Sequence, residues 1–408
     1  MRIRYLAVFP SWARKQKRRP YKGSIFFRRP DYDYLRLKAM IPELEYLDER
    51  VEPFYYRDAD LVLLKVLPHL LTRASEVSLL YRKNDIPVVF FGPLATVGPE
   101  FCLRFSDAVV VGDITASIGQ IVGDLKKAKL RKIYRARGRI SFDVDREMEE
   151  HAGFVPDYSQ LRLFFGCGCE RFKELCPEHY LYPRPLFCNR KEAIRLVGEI
   201  TRKRIILLDD GIDYNPQYYI QLFKDCWHLH KEWIVTATGR IFDHPDLLLA
   251  MKRGGVRVVI IKPDYFHSHP YEEMRRDLSR IHQLKMIPGV MVMLLPDLSP
   301  NVIETVMRLP ADFALFPTLT PLPFTPSFPQ DRIDITDLDF YDQGHPVLKG
   351  YQGGLIELIK DRYYSWDRIW LRLANSISSI GIYNAFTYLL PINLALRQNF
   401  LEGIPYPP

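Results

Sequence analysis

Short runs of uninterrupted Val, Ile, Leu and Phe recur along the chain, and each is followed by a stretch with helical spacing. In the first third the runs lie in "RIRYLAVFP", "DADLVLLKVL", "IPVVFFGP" and "CLRFSDAVVVGD". Between and after them come "YDYLRLKAMIPELEYL", "LLTRASEVSLLYRKND" and "ITASIGQIVGDLKKAKL". A strand that is apolar on both faces must be covered on both, and a parallel sheet flanked by helices does this. Residues 1–130 therefore read as a doubly wound, Rossmann-like α/β unit. Residues 131–157 lose apolar periodicity, gain charge and read as a linker. A second series fills residues 158–330, with strands in "QLRLFFGC", "RIILLDDG", "EWIVTATG", "VRVVIIKPD", "GVMVMLLPD" and "DFALFPTLTP". Repeated strand–helix units of this kind predict a partial (β/α)6 barrel. Residues 331–408 are aromatic and apolar and predict a helical extension broken at Pro391. That extension reads either as core packing or as the cover of a bulky hydrophobic substrate.

Both scaffolds place their chemistry at the carboxyl ends of strands. The loops of interest therefore follow Phe9, Leu67, Phe91 and Val111, together with the segment after "QLRLFFGC". That segment, "FFGCGCERFKELCPEHYLYPRPLFC", holds Cys167, Cys169, Cys176 and Cys188, four of the chain's six cysteines. No run of about 18 apolar residues occurs, so no transmembrane helix is expected. "MRIRYLAVFPSW" reads as a first strand and not as a signal peptide. The expected location is the cytoplasm, where clustered cysteines bind metal more often than they pair. Cys102 and Cys226 fall in helical stretches and read as small buried hydrophobes. His179, inside the cluster segment, is a solvated loop residue or a further metal ligand. The net charge of +8 concentrates in "ARKQKRRPYKGSIFFRRP", from Arg14 to Arg29. This stretch reads as a solvated loop or as a contact for nucleic acid, anionic lipid or phosphate.

With these loops in this order, the chain resembles the cobalamin-binding subgroup of the radical S-adenosylmethionine (radical SAM) enzymes over nearly its whole length. "DADLVLLKVL", "IPVVFFGPLAT" and "DAVVVGD" resemble the segments that line that family's corrinoid site. Leu94 stands where the family often has His, and no Asp-x-His-x-x-Gly motif is present. The resemblance implies that cobalamin is held by Pro10, Gly92, Pro93, Thr96, Gly112 and Asp113. "LDDGIDYNPQYYIQLF" resembles the second strand unit of the barrel, with its acidic pair. "HPDLLLAMKRGGVRVVIIKPD" resembles the fourth, with Lys262, Pro263 and Asp264 in place of the first three residues of Gly-Phe-Glu-Ser. "TLTPLPFTPSF" resembles the closing Thr-Pro-x-Pro-Gly-Thr-Pro segment, with Phe324 for the glycine, and "FYDQGHPVLK" and "IKDRYYSWDRIW" resemble the C-terminal extension. The resemblance makes Asp209, Asp210 and Asp264 partners for the ammonium group of S-adenosylmethionine. The acidic pair before Gly211 reads equally well as a capped turn.

The family wraps Cys-x3-Cys-x2-Cys around a [4Fe-4S] cluster that leaves one iron open to S-adenosylmethionine. Cys169 and Cys176 match the outer two cysteines, and Lys173 takes the middle place. Three readings follow. Cys167 or Cys188 supplies the missing thiolate, or the site is a relic on a retained fold, or the cysteines hold a structural zinc. The third lacks the paired Cys-x2-Cys knuckles of zinc sites. The resemblance implies a methyltransferase, or an enzyme of a related radical carbon modification, that uses the cluster, S-adenosylmethionine and cobalamin on a hydrophobic or macrocyclic substrate, a lipid or tetrapyrrole. Electrons would come from a ferredoxin or flavodoxin. The competing expectation is a non-catalytic corrinoid or tetrapyrrole carrier, or a protein partner of an intact relative. A nucleic-acid-modifying role rests on the Arg-rich segment alone, and no stable nucleic acid partner is expected.

Overall fold

Leu61 and Leu63 pack into one apolar cluster, while Val62 and Leu64 of the same strand pack into another on the opposite side of the sheet. Val89 and Phe91 divide from Val88 and Phe90 in the same way. This two-sided burial is what the unbroken apolar runs require. The structure, a computed structural model, describes residues 1–10, 29–151, 158–168, 171–351 and 354–402.

The first sheet holds β1 (Ile3–Ala7), β2 (Glu45–Asp48), β3 (Leu61–Lys65), β4 (Val88–Phe91), β5 (Ala108–Val111) and β6 (Ile133–Arg135). All are parallel, in the order β2-β1-β3-β4-β5-β6. Chain order reverses at β1, so the crevice between the carboxyl ends of β1 and β3 is the place where such sheets bind ligands. Two strands were hidden in the sequence. β2 lies at the end of a stretch that reads as one helix; the helix stops at Met40, short of Pro42. β6 lies inside the stretch that reads as a linker, as does a helix over Arg146–His151.

The second sheet begins with β7 (Tyr158–Leu161), earlier than "QLRLFFGC" suggests. Phe164–Phe165 (β8) leaves the sheet and pairs antiparallel with Leu186–Phe187 (β9). β10 (Arg204–Leu207), β11 (Glu232–Ala237), β12 (Val256–Ile261), β13 (Ile287–Met291) and β14 (Phe313–Leu315) follow. The order is β14-β13-β12-β11-β10-β7, every neighbour parallel, an open sheet with β7 and β14 as its edges. Sequential parallel strands with crossing helices bury the largest apolar cluster of the chain. The helices start where the sequence supplies caps: Asn189 Oδ1 accepts from the Glu192 N–H and Asn215 Oδ1 from the Tyr218 N–H.

The C-terminal helix runs from Trp366 to Asn384, widens into a π turn over Ala385–Leu389, and continues over Leu390–Glu402. Pro391 does not break it. The bend lies at Gly381 instead, with φ +83° and ψ 157°. Among the described residues this is the one helix long and apolar enough to cross a bilayer, and half of its most apolar window is buried. It lies against the second sheet, where Asn393 Nδ2 donates to the Asp312 carbonyl (3.2 Å), and Tyr364, just before the helix, donates through Oη to the Ala314 carbonyl (2.7 Å).

Candidate functional site

The carboxyl ends of the two sheets open onto one cavity of about 440 Å³, within the size range of cofactor and substrate pockets. Gly92, Pro93, Gly112 and Asp113 line it from the first sheet, and Cys176, Asp210, Lys262 and Pro263 from the second. A groove of similar volume under the C-terminal helix has no cysteine in its wall.

The cysteine loop is carried between β8 and β9 and pressed onto the end of β10. A side chain at Gly168 would place its Cβ 1.6 Å from the Asp210 carbonyl oxygen, so the loop lies directly on that backbone and admits no other residue there. The Gly168 N–H donates to Asp210 Oδ2 (2.9 Å). The outcome is a convergent donor set: Cys167 Sγ, Cys176 Sγ and an Asp210 carboxylate oxygen all lie within 4.8 Å of one another. Cys169 lies outside the described residues, as does the Arg-rich segment up to Arg28.

Cys188 falls outside this set. It is 1% exposed in the core of the second sheet, its N–H donates to the Leu163 carbonyl (2.8 Å), and burial pushes its thiol up to about 12. A thiol held so firmly in its neutral form is a poor ligand. Cys102 and Cys226 are buried as well, and burial raises their thiols to about 12 and about 11. Lys173, in the middle-cysteine place, is exposed on a single 3-10 turn. His179 packs edge-on against Tyr180 and stands apart from the donor set.

The acidic pair divides its work. Asp209 does not line the cavity; it is 1% exposed and accepts from the N–H groups of Leu163 (2.7 Å) and Phe164 (2.8 Å) and from Tyr219 Oη (2.7 Å). It clamps the exit of β7 to β10, which corrects the expectation that both acids face a ligand. Burial pushes its carboxyl up to about 6 despite these donors. Asp210 does face the cavity, but Lys262, 8% exposed at the end of β12, already pairs with its Oδ1. The ammonium that the sequence assigned to a ligand is thus supplied from within the chain. Asp264 is half-buried behind this pair and does not line the cavity; its Oδ1 has no hydrogen-bond partner among the described residues. Burial raises its carboxyl, and Lys262 partly offsets that.

On the first sheet, Gly92 (φ +99°) and Gly112 (φ +90°) take left-handed backbone that favours glycine. Thr96 sits behind them and ties the two turns together, donating to the Gly92 carbonyl (2.9 Å) and accepting from the Gly112 N–H (3.1 Å). Pro10 is buried and away from the cavity wall. Asp113 is 3% exposed and is consumed by an ion pair with Arg36 (2.8 Å) and by the Tyr182 hydroxyl (2.7 Å).

Several charged residues of the wall escaped the sequence reading. Lys65 pairs with Asp33 (2.9 Å) and Asp31 (3.2 Å), and although burial opposes it, Lys65 and Arg36 hold the Asp33 carboxyl well below the usual carboxylate range. Arg162 pairs with Glu178 and lies over the Phe165 ring, 4.6 Å from its centre. The available signal was a lone cation at or just past the carboxyl end of an apolar strand, as in "LVLLK" and "QLRLFF".

Two thiolates and a carboxylate converging on a cavity wall suit a soft or borderline metal centre. A cube that leaves one iron open needs a third thiolate, and Cys169, the residue after Gly168, is the remaining cysteine of the loop. The donor chemistry therefore fits an iron–sulfur group at this wall.

No protein-family model matches the chain. The bacteriochlorophyllide d C-12(1)-methyltransferase of Chlorobaculum tepidum is 23% identical over 286 residues, a match covering 62% of this chain and 62% of that protein. The chain thus spans about three-fifths of the length of the curated relative it matches. The similarity is distant, and it is to a methyltransferase.

Proposed function

We propose that the chain is a methyltransferase of the cobalamin-binding radical SAM kind that acts on a tetrapyrrole. The observation that carries this reading is the shared cavity, where the thiolate-bearing loop of the second sheet meets the glycine turns of the first. The distant likeness to a bacteriochlorophyllide methyltransferase supports both the reaction and the substrate class. In this reading residues 1–130 carry the corrinoid, residues 158–330 the cluster and S-adenosylmethionine, and residues 331–408 extend the second unit.

Cys167, Cys169 and Cys176 would hold the [4Fe-4S] cluster, and the turns at Gly92 and Gly112 would let the corrinoid approach the backbone. When bound, these groups supply the electron that cleaves S-adenosylmethionine and the methyl group to be transferred. The chain's own residues position and screen. Asp209 fixes the start of the cysteine loop through two backbone N–H groups. Asp210 holds the loop at Gly168 and keeps a carboxylate on the cavity wall. Lys65 and Arg162 keep charged heads at the wall while their partners neutralise them. Anaerobic incubation of iron-loaded protein with methyl-labelled S-adenosylmethionine, methylcobalamin, reduced flavodoxin and a bacteriochlorophyllide tests the proposal. Label in the tetrapyrrole is expected; cleavage of S-adenosylmethionine with no label in any tetrapyrrole offered contradicts it.

A second reading, a non-catalytic carrier or partner subunit, is favoured by one observation. Lys262 already neutralises Asp210, the acid that would receive the ligand's ammonium.

A further inference from the structure

The amino ends of the second sheet's strands lie opposite the cavity, and the C-terminal helix brings an apolar tip to that end. Tyr383 and Tyr388 donate to Glu232 Oε2 at the start of β11 (3.0 and 2.6 Å), and Asn384 Nδ2 donates to the Lys285 carbonyl just before β13 (3.3 Å). These bonds fix the segment in place, yet Ile382, Tyr383 and Phe386 are 69%, 48% and 50% exposed. Trp227, 62% exposed, stands in the turn that enters β11 at the same end. From Leu373 to Leu396 the sequence contains no Asp, Glu, Lys or Arg. Within it the exposed positions run from Ala374 to Phe386, and an exposed helix side with no charge and three large apolar residues at its tip marks a contact surface.

The rim of this tip is basic. Lys203 and Arg257 both reach Glu232 (3.1 Å each), and Lys203 Nζ lies 5.5 Å from the centre of the Tyr383 ring. Glu232 is shared between these two cations and two tyrosines, so positive charge is left in excess. Lys252 lies close enough to Arg257 and Lys285 to be repelled by both, in addition to its partial burial. An uncharged helix side, aromatic residues at its tip and a lysine–arginine rim are the composition of segments that lie in the interface of a membrane. Tyr and Trp suit that boundary because one end of each ring is apolar and the other polar. Half of the helix's most apolar window is buried within the protein, which suits lying on such a surface and not spanning it.

We propose that this end of the protein docks on an anionic lipid bilayer. Ile382, Tyr383, Phe386 and Trp227 enter the headgroup boundary, and Lys203, Lys252, Arg257 and Lys285 meet the phosphates. The inference is independent of the chemistry proposed for the cavity. The test is co-sedimentation of the full chain with vesicles of phosphatidylcholine alone, or of phosphatidylcholine with an equal part of phosphatidylglycerol. Pelleting is expected with the mixed vesicles only, weakening as salt is raised. Ile382→Asp with Phe386→Asp is expected to cut partitioning at least about tenfold, and Lys285→Gln alone about fivefold. Ile382, Phe386 and Lys285 are exposed, so the melting temperatures of these variants should hold. The proposal is overturned if the wild type ignores the mixed vesicles, or if the double variant pellets as the wild type does. It is also overturned if the wild type ignores vesicles and runs as a dimer that the double variant splits, because a second copy would then cover the face.

Discussion

The Tyr182 hydroxyl donates to Asp113 Oδ2 across 2.7 Å, joining the segment that carries Cys176 to the turn after β5 in the first sheet. Arg36, 0% exposed, completes the knot from the helix between β1 and β2, with its guanidinium 4.5 Å from the centre of the Phe165 ring. A buried ion pair gains little on its own, but a missing partner leaves a charge stranded. Tyr182→Phe removes one hydrogen bond to a buried carboxylate and is predicted to cost about 1.5–3 kcal/mol. Asp113→Asn leaves Arg36 with Asp33 (3.0 Å) as its remaining carboxylate and is predicted to cost about 3 kcal/mol. Urea unfolding of both variants checks the order; equal losses, or none, contradict the knot.

Asp209 makes a pH-dependent contribution whose sign follows from its burial. Its native carboxyl titrates at about 6, above the value of the unfolded chain, near 3.9. The native state therefore holds the proton more tightly, and stability gained below about pH 4 is lost as pH rises through about 6. Asp209→Asn has no such titration. The unfolding free energy of the wild type minus that of the variant is predicted to fall by on the order of 3 kcal/mol between about pH 4 and pH 7, and then to stay flat. A difference that rises with pH would mean that the donors from Leu163, Phe164 and Tyr219 outweigh burial.

Lys262 competes for Asp210 with any ligand that brings its own ammonium. Lys262→Met is predicted to cost about 3 kcal/mol of stability by stranding a mostly buried carboxylate, and to tighten S-adenosylmethionine binding about tenfold. Titration calorimetry on the folded variant reads the second effect. Weaker binding would mean that Lys262 serves the ligand and does not displace it.

Phe324 keeps φ +66° where the resemblance has glycine, so the backbone retains the turn while the side chain changes. Its ring packs 4.9 Å from the centre of the Phe101 ring and over Gly98, where an added Cβ would lie 2.6 Å from Phe324 Cδ2. Gly98→Ala is predicted to cost about 1–3 kcal/mol, and most of that loss should vanish in a Phe324→Gly background, a coupling expected of side chains in contact. Additive losses would contradict the contact.

Much of the parallel architecture was legible because runs such as "PVVFF" and "VRVVII", short and rich in Val and Ile, suit strands covered on both sides. Short edge elements were not. β2 and β6 are four and three residues long, at the rims of the first sheet, where half-burial leaves no unbroken apolar run. Cys167 and Cys176 were found by type and spacing, but spacing could not tell that Cys188 turns into the core while Asp210 turns toward the thiols. That distinction depends on β8 leaving the sheet, a long-range pairing with β9 across the whole loop. Lys262 stands out in the sequence as a departure from the resemblance's pattern; only the fold shows that it lands on Asp210.

The most direct test is iron and acid-labile sulfide per chain after anaerobic reconstitution, with electron paramagnetic resonance of the reduced protein before and after S-adenosylmethionine. About four irons per chain are expected, with a signal that shifts with S-adenosylmethionine, loss of iron in Cys176→Ala, and full retention in Cys188→Ala. A wild type that takes up no iron, or a Cys188→Ala variant that loses it as Cys176→Ala does, would contradict the site.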